Sequence, residues 1–249
     1  MRKRYLNIFW VFLVICCIGC SEFTDVDPIP PLDPATGKSY FFLEEGKYRE
    51  YNVFEIRYLA VDRSDTLIYQ LREKVVEPFD ADNAESAHLL YRYKRPDSSQ
   101  DWTLDSVWSA RITGQRAIVA ENNVSIIKMI FPTDTIQTWD RNLFNDKAQR
   151  IIRTKTFNEP YTVGFNTFLN ASEIEINNRA IDSLILFGPD QRTEVYADSI
   201  GLVFKEFNVY SLCASQLETG CNAAGVDVIK SGRYIRMELT AHGNINDED

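Results

Sequence analysis

The chain has 249 residues, 45% of them hydrophobic and 25% charged, with a formal net charge of -9. This length and composition suit one sizeable core, since all-β domains of such length fold as single units. An acidic chain without a basic stripe argues against nucleic acid, or an anionic membrane surface, as a partner of the folded body.

Residues 1–19 come first. Arg2, Lys3 and Arg4 open the chain, and Ile8 to Gly19 is uncharged and mostly apolar. That run is shorter than the ~20 residues of a spanning helix, so it reads as a signal peptide. Gly19 and Ser21 are small residues flanking Cys20. "CIGC", Cys17 to Cys20, resembles the lipobox of bacterial lipoproteins at Gly19 and Cys20, and departs from it at Cys17, where Leu is usual. The resemblance implies cleavage by signal peptidase II before Cys20. Cys20 would then carry diacylglycerol and an N-acyl chain such as palmitate, and several chains anchor stably where one is marginal. An uncleaved anchor helix or an ordinary secretory signal is the alternative. Ser21 is not the Asp that retains some lipoproteins in the inner membrane, so the resemblance points to the outer membrane. Glu22, Asp25 and Asp27 are scattered rather than clustered. Periplasmic and surface-facing placements both stay open.

Residues 20–38 hold the lipidation candidate and four prolines, Pro28, Pro30, Pro31 and Pro34. They read either as an extended tether, spanning about 55 Å at about 3.1 Å per residue, or as an edge packed along the domain.

Residues 39–243 read as a single antiparallel β domain, and 244–249 as an acidic tail. In "FEIRYLA", Phe54, Ile56, Tyr58 and Ala60 alternate with Glu55, Arg57 and Leu59. Leu67, Tyr69 and Leu71 oppose Gln70 and Arg72, while Ile235, Met237 and Leu239 oppose Arg236, Glu238 and Thr240. Period two with one wet face predicts antiparallel sheet. "SAHLLYRYK", "VSIIKMIF", "RIIRTKTF", "SLILFG" and "LVFKEFNVY" supply further strands. Turn residues separate them, among them Pro96 to Gln100, Glu121-Asn122-Asn123 and Gly188-Pro189-Asp190. About ten to thirteen strands without amphipathic helices predict a meander, closed as a barrel or strongly curved as a sheet or sandwich. "PDQRTEVYAD" is ambiguous between short helix and strand.

"YFFLEEGKYREYNV" (40–53) and "GLVFKEF" (201–207) resemble an uncharacterised group of Bacteroidota-type lipoproteins. Phe42 stands where that group usually has Pro, and Arg49 where it has Trp. The resemblance spans 40–243 and implies no activity.

Catalytic motifs are sparse. His88 sits in a strand pattern and His242 near the C-terminus, and both read as structural or surface histidines. "SIIK", Ser125 to Lys128, matches S-x-x-K in form, but that motif needs a helix to set Ser and Lys one turn apart, and here it lies in a strand pattern. "DADNAE", Asp80 to Glu85, spaces carboxylates as a calcium loop does, yet lacks the glycine and the distant Glu, so it reads as an acidic turn. Zinc would need clustered Cys or His, and only Cys213 and Cys221 remain in the body. No metal or cofactor is expected. In an oxidising compartment those two cysteines are expected to form a disulfide.

Asp, then Ser or Thr, then an aliphatic residue occurs five times, where composition predicts about one. The triplets resemble the O-glycosylation sequon of Bacteroidota-type exported proteins, with acceptors Thr66, Ser106, Thr135, Ser183 and Ser199. The alternative is local structure, since Asp-Ser and Asp-Thr favour turns ahead of strands.

Three functions fit. The first is a non-catalytic, lipid-anchored envelope protein whose β domain binds a partner protein or glycan. The second is a carrier or sensor of a hydrophobic ligand in a barrel cavity. The third, a carboxylate-dependent hydrolase, has no carboxylate pair that stands out.

Overall fold

The computed structural model describes residues 37–79 and 86–245. The signal peptide, Cys20, the tether before Gly37, the Asp80–Glu85 acids and residues 246–249 lie outside the described residues. Twelve strands are present among the described residues: β1 (Lys47–Ala60), β2 (Arg63–Pro78), β3 (His88–Arg95), β4 (Thr103–Thr113), β5 (Arg116–Glu121), β6 (Val124–Ile130), β7 (Thr138–Asp140), β8 (Ile151–Val163), β9 (Asn166–Arg179), β10 (Asp190–Ala197), β11 (Gly201–Leu212) and β12 (Ile229–Asn244). One 3-10 turn, Lys38–Tyr40, precedes them.

All the strands join one antiparallel sheet, in the order β6-β5-β4-β3-β2-β1-β12-β11-β10-β9-β8-β7. Sequence neighbours pair throughout except β6 and β7, and β1 and β12 lie side by side along their length. The two outer strands, β6 and β7, meet through a few hydrogen bonds rather than a ladder. Ile127 N–H donates to Arg141 O at 3.0 Å, Trp139 Nε1 to Ile127 O at 3.2 Å, and Asn145 Nδ2 to Ser125 O at 2.7 Å. The sheet is thus nearly closed, and unpaired edge groups, a hazard in open sheets, are largely consumed.

Turn chemistry explains the hairpins. Asn122 and Asn123 both take positive φ, 50° and 65°, which is the two-residue turn that matches strand twist. The hairpin falls where Glu121-Asn122-Asn123 predicts it.

The two ends of the sheet differ. At one end the chain enters at Gly37 and folds across: Tyr40 and Phe41 are buried, Tyr40 OH donates to Asn158 Oδ1 at 3.0 Å, and Ser199 N–H donates to Ser39 O at 3.0 Å. Gly37 is needed there, because its φ is +90° and a Cβ would lie 2.4 Å from Thr133 Oγ1. The opposite end is framed by the β1–β2, β3–β4, β5–β6 and β9–β10 turns and by the β11–β12 loop. That loop carries the Cys213–Cys221 disulfide.

Two apolar clusters fill much of the interior. One gathers Val75, Leu90, Val119, Met129, Ile152 and Ile174 with Tyr40 and Phe41; the other holds Tyr51, Val53, Leu71, Ile235, Met237 and Leu239. Tyr69, Leu71, Ile235, Met237 and Leu239 face inward, as their alternation predicts. "FEIRYLA" alternates as read, but its faces are reversed. Glu55 is fully buried while Phe54 is exposed, because Arg57 and Arg233 neutralise the carboxylate and the Tyr69 hydroxyl donates to it. "PDQRTEVYAD" is strand, and it forms β10.

Candidate functional site

Inside the closed end the residues are charged as well as apolar, and a β-bulge begins the arrangement. Ala117 pairs with Met129 and Ile118 with Ile127, so Lys128 is the extra residue. A bulge re-aims a side chain, and Lys128 here turns into the interior. Its Nζ lies 2.7 Å from Glu121 Oε1 and 3.0 Å from Glu194 Oε1. Tyr196 OH donates to Glu194 Oε2 at 2.8 Å, and Lys205 Nζ stands 3.5 Å from Glu194 Oε1. Lys128, Arg141 and Glu194 are all buried.

Burial alone would raise these carboxyls. The neighbouring cations overcome it. Lys128, Lys205 and Arg141 hold Glu194 well below the usual carboxylate range, and Lys128 with Lys205 holds Glu121 down to about 2. Burial would likewise lower Lys128, but Glu121 and Glu194 raise it. Lys205 is lowered, since its burial outweighs what Glu194 and Glu121 return. Tyr196 is raised well above the phenol value by burial and by Glu194.

A second group lies beside the first. Arg49 Nη2 donates to Glu73 Oε1 at 2.8 Å, and Arg92 Nε stands 3.5 Å from Glu73 Oε2. The Arg92 guanidinium lies over the Trp108 ring, 3.7 Å from its centroid. Arg49 also reaches Ile200 O at 3.2 Å, and Tyr51 OH donates to Leu202 O at 2.9 Å. Residues 40–53 and 201–207, the two phrases that carry the second resemblance, therefore dock on one another.

Toward the framed end this interior opens into a mouth of about 430 Å³ lined by Tyr69, Arg92, Lys94, Trp108, Lys205 and Phe207, among others. Arg92, Trp108, Glu121, Lys205 and Met237 also line the smaller space beneath it, of about 50 Å³. At the rim Lys94 Nζ pairs with Asp105 Oδ1 at 2.7 Å and Arg233 Nε with Glu55 Oε1 at 3.0 Å.

Lys128 of "SIIK" lies at the centre of this site, though not in the role that motif implies, and most other residues singled out from sequence fall elsewhere. Cys213 and Cys221 are bridged at the framed end, and Ser106 lines the mouth while its hydroxyl donates to Asp105 Oδ2 at 3.0 Å. Thr66, Thr135, Ser183 and Ser199 are exposed and dispersed. Thr66 and Ser106 sit within β2 and β4 rather than in turns ahead of strands. His88 Nδ1 lies 3.0 Å from Val76 O. Burial, then Lys47 and Arg49, lower His242. "SIIK" lies on β6, as its strand pattern predicts. No group of His, Cys, Asp and Glu suited to a metal ion exists among the described residues. Sequence reading missed Arg92, Trp108, Glu121, Glu194 and Lys205 as a set. The one available signal was in "GLVFKEF", where Lys205 shares strand parity with Val203 and Phe207.

No protein-family model matches the chain, and no curated protein matches it. Among solved structures, it is similar to a candidate exported protein with a YmcC-like fold from Bacteroides fragilis NCTC 9343. The identity is 10% and the TM-score 0.42, over 82% of this chain and 98% of that one. It is also similar to a candidate lipoprotein from Parabacteroides distasonis ATCC 8503, at 11% identity and a TM-score of 0.40, over 81% of this chain and 98% of that one. No ligand or reaction comes with either similarity.

Proposed function

We propose that the chain is a lipid-anchored, non-catalytic envelope protein of the outer membrane, attached through Cys20, and that it binds its partner at the framed, open end of the β domain. The observation that carries this reading is the asymmetry of the two ends. The chain enters at the end that Tyr40 and Phe41 close, while the mouth of about 430 Å³ opens at the other. A tethered domain attached at its closed end leaves its mouth free to meet solutes. A recess of that size suits a compact group such as a sugar better than the flat face of a protein, so a glycan is the favoured partner. Carriage of a wholly hydrophobic ligand loses support, because apolar clusters and ion pairs occupy the space beneath the mouth. Hydrolysis loses support as well, because Lys128 engages both Glu121 and Glu194.

Photo-crosslinking in intact cells tests the reading. A crosslinker at Asn122, on the exposed rim turn, is expected to capture a partner that one at Glu45, exposed at the closed end, does not. Equal capture at the two positions, or capture at Glu45 alone, refutes it.

A further inference from the structure

The mouth carries more positive charge than its acids neutralise, and the pairing distances show where the excess lies. Each acid near the mouth has a close cation, with Lys128 shared by two of them. Asp105 is held by Lys94 at 2.7 Å, Glu55 by Arg233 at 3.0 Å, Glu121 by Lys128 at 2.7 Å and Glu73 by Arg49 at 2.8 Å. Glu194 is taken by Lys128 at 3.0 Å and by the Tyr196 hydroxyl at 2.8 Å. Two cations remain, Arg92 and Lys205. Each has only a 3.5 Å approach to a carboxylate that another cation already holds more closely.

Their donors are also unused. Arg92 Nε and Trp108 Nε1 are buried and have no hydrogen-bond acceptor among the described residues. A buried polar group in that state costs roughly 1–3 kcal/mol, which a native fold rarely leaves uncompensated. The Arg92 guanidinium carbon lies 3.7 Å from the Trp108 ring centroid, a cation–π contact that uses none of its N–H groups. Lys205 Nζ lies 4.4 Å from the Phe207 ring centroid, and among the described residues no acceptor takes its protons at hydrogen-bond distance. All three side chains line both the mouth and the space beneath it. The mouth they share is mostly polar, with Lys94, Asp105, Ser106 and Arg233, and Tyr69, Phe207 and Ile235 supply apolar and aromatic surface within it.

We infer that Arg92, Trp108 and Lys205 form an anion-binding subsite at the base of the mouth, which takes the carboxylate or phosphate group of a small ligand whose body lies along Tyr69, Phe207 and Ile235. The anion would accept from Lys205 and the guanidinium edge of Arg92, with the indole N–H as a third donor. This rests on the open end being the binding end, and it adds the chemistry of what is held there. Burial lowers the proton affinity of Lys205, and a bound anion would restore it. The acidity of the chain as a whole does not oppose the site, since these charges are enclosed and poorly screened.

The test is calorimetric titration of the full chain, purified from membranes in uncharged detergent, with 3-phenylpropionate, phenylphosphonate and neutral 3-phenylpropan-1-ol. At least one anion is expected to bind tenfold or more tightly than the alcohol, and the stronger of the two names the group. Lys205→Met is expected to abolish that preference, with some loss of thermal stability because Lys205 helps keep Glu194 and Glu121 ionised. Equal binding of all three compounds overturns the subsite, as does a preference that survives in Lys205→Met. If Lys205→Met fails to fold, the comparison of the three compounds in the native protein still decides. Failure here leaves crosslinking at Asn122 unaffected, so the two readings fail separately.

Discussion

Gly201 and Arg49 compete for one volume. A Cβ on Gly201 would lie 2.1 Å from Arg49 Nη1, and Gly201 holds φ at +95°. The clash adds to the backbone strain of a side chain in that conformation. Gly201→Ala is therefore expected to lower unfolding free energy by at least about 2 kcal/mol. Gly220→Ala is the control: φ there is +86°, but a Cβ meets nothing within 4 Å. It should cost only the backbone strain, about 1 kcal/mol. Urea unfolding of the two variants measures the difference.

Lys128 is shared by two carboxylates, so its removal strands both. Lys128→Met should destabilise the fold by about 3–5 kcal/mol. Adding Glu194→Met to that variant should recover part of the loss, because one uncompensated buried charge is then gone. Additive losses in the double mutant, measured by the same urea method, would contradict the coupling.

Stability should fall in acid. A carboxyl whose folded value is depressed contributes stability above its unfolded value, and that contribution is lost as pH falls toward the folded one. Glu121, ordinarily at 4.5, is held to about 2, and Glu194 is depressed as well. Thermal stability should thus be full above pH 4.5 and decline steadily between 4.5 and 2. Glu121→Gln should flatten that decline, as read by circular dichroism melts.

The Cys213–Cys221 bridge closes a short loop at the framed end, with the two residues eight positions apart. Loop-closure entropy gives it about 2.5 kcal/mol. Reduction and alkylation should lower stability by that order. Peptide mapping without reductant should recover the two cysteines in one linked species.

Processing provides the test of the anchor. Globomycin should cause an unprocessed precursor to accumulate, and Cys20→Ser should release the protein from the membrane fraction. Unchanged processing and sedimentation would remove the lipid anchor.

Most strands were legible in the sequence because alternation along an antiparallel sheet is a direct print of its two faces; "SLILFG" reads as a strand but lies in the β9–β10 connection, where only the isolated bridge Asp182–Phe187 forms. The hairpin at Asn122-Asn123 was legible because few residues tolerate positive φ there. The lining of the mouth was not. Period-two reading assigns charge to solvent, and Glu55 obeys the period while reversing the assignment, since its partners Arg233 and Tyr69 come from other strands. Lys128 defeats the reading differently. "VSIIKMIF" gives no sign that one residue is inserted, so the bulge that turns Lys128 inward appears only once β5 and β6 are paired. Arg92, Trp108 and Lys205 come from β3, β4 and β11, and only the sheet order brings them together.

The pairing of β1 with β12 has a consequence for how the chain reaches this state. Strands β1 to β6 and β7 to β12 are two meanders built from neighbouring hairpins, and the seam between them joins Lys47 to Asn244 and Tyr58 to Gly232. Each meander can zip locally, but the seam must close a loop of most of the chain, which is the slow and entropically costly step. Until β12 has been made and delivered there is no enclosed interior. Lys128 on β6 and Glu194 on β10 belong to opposite meanders, so their ion pair can form only when the two halves come together. The charged interior is in that sense a late-assembling latch, and until the two halves dock the lining of the mouth stays in two pieces.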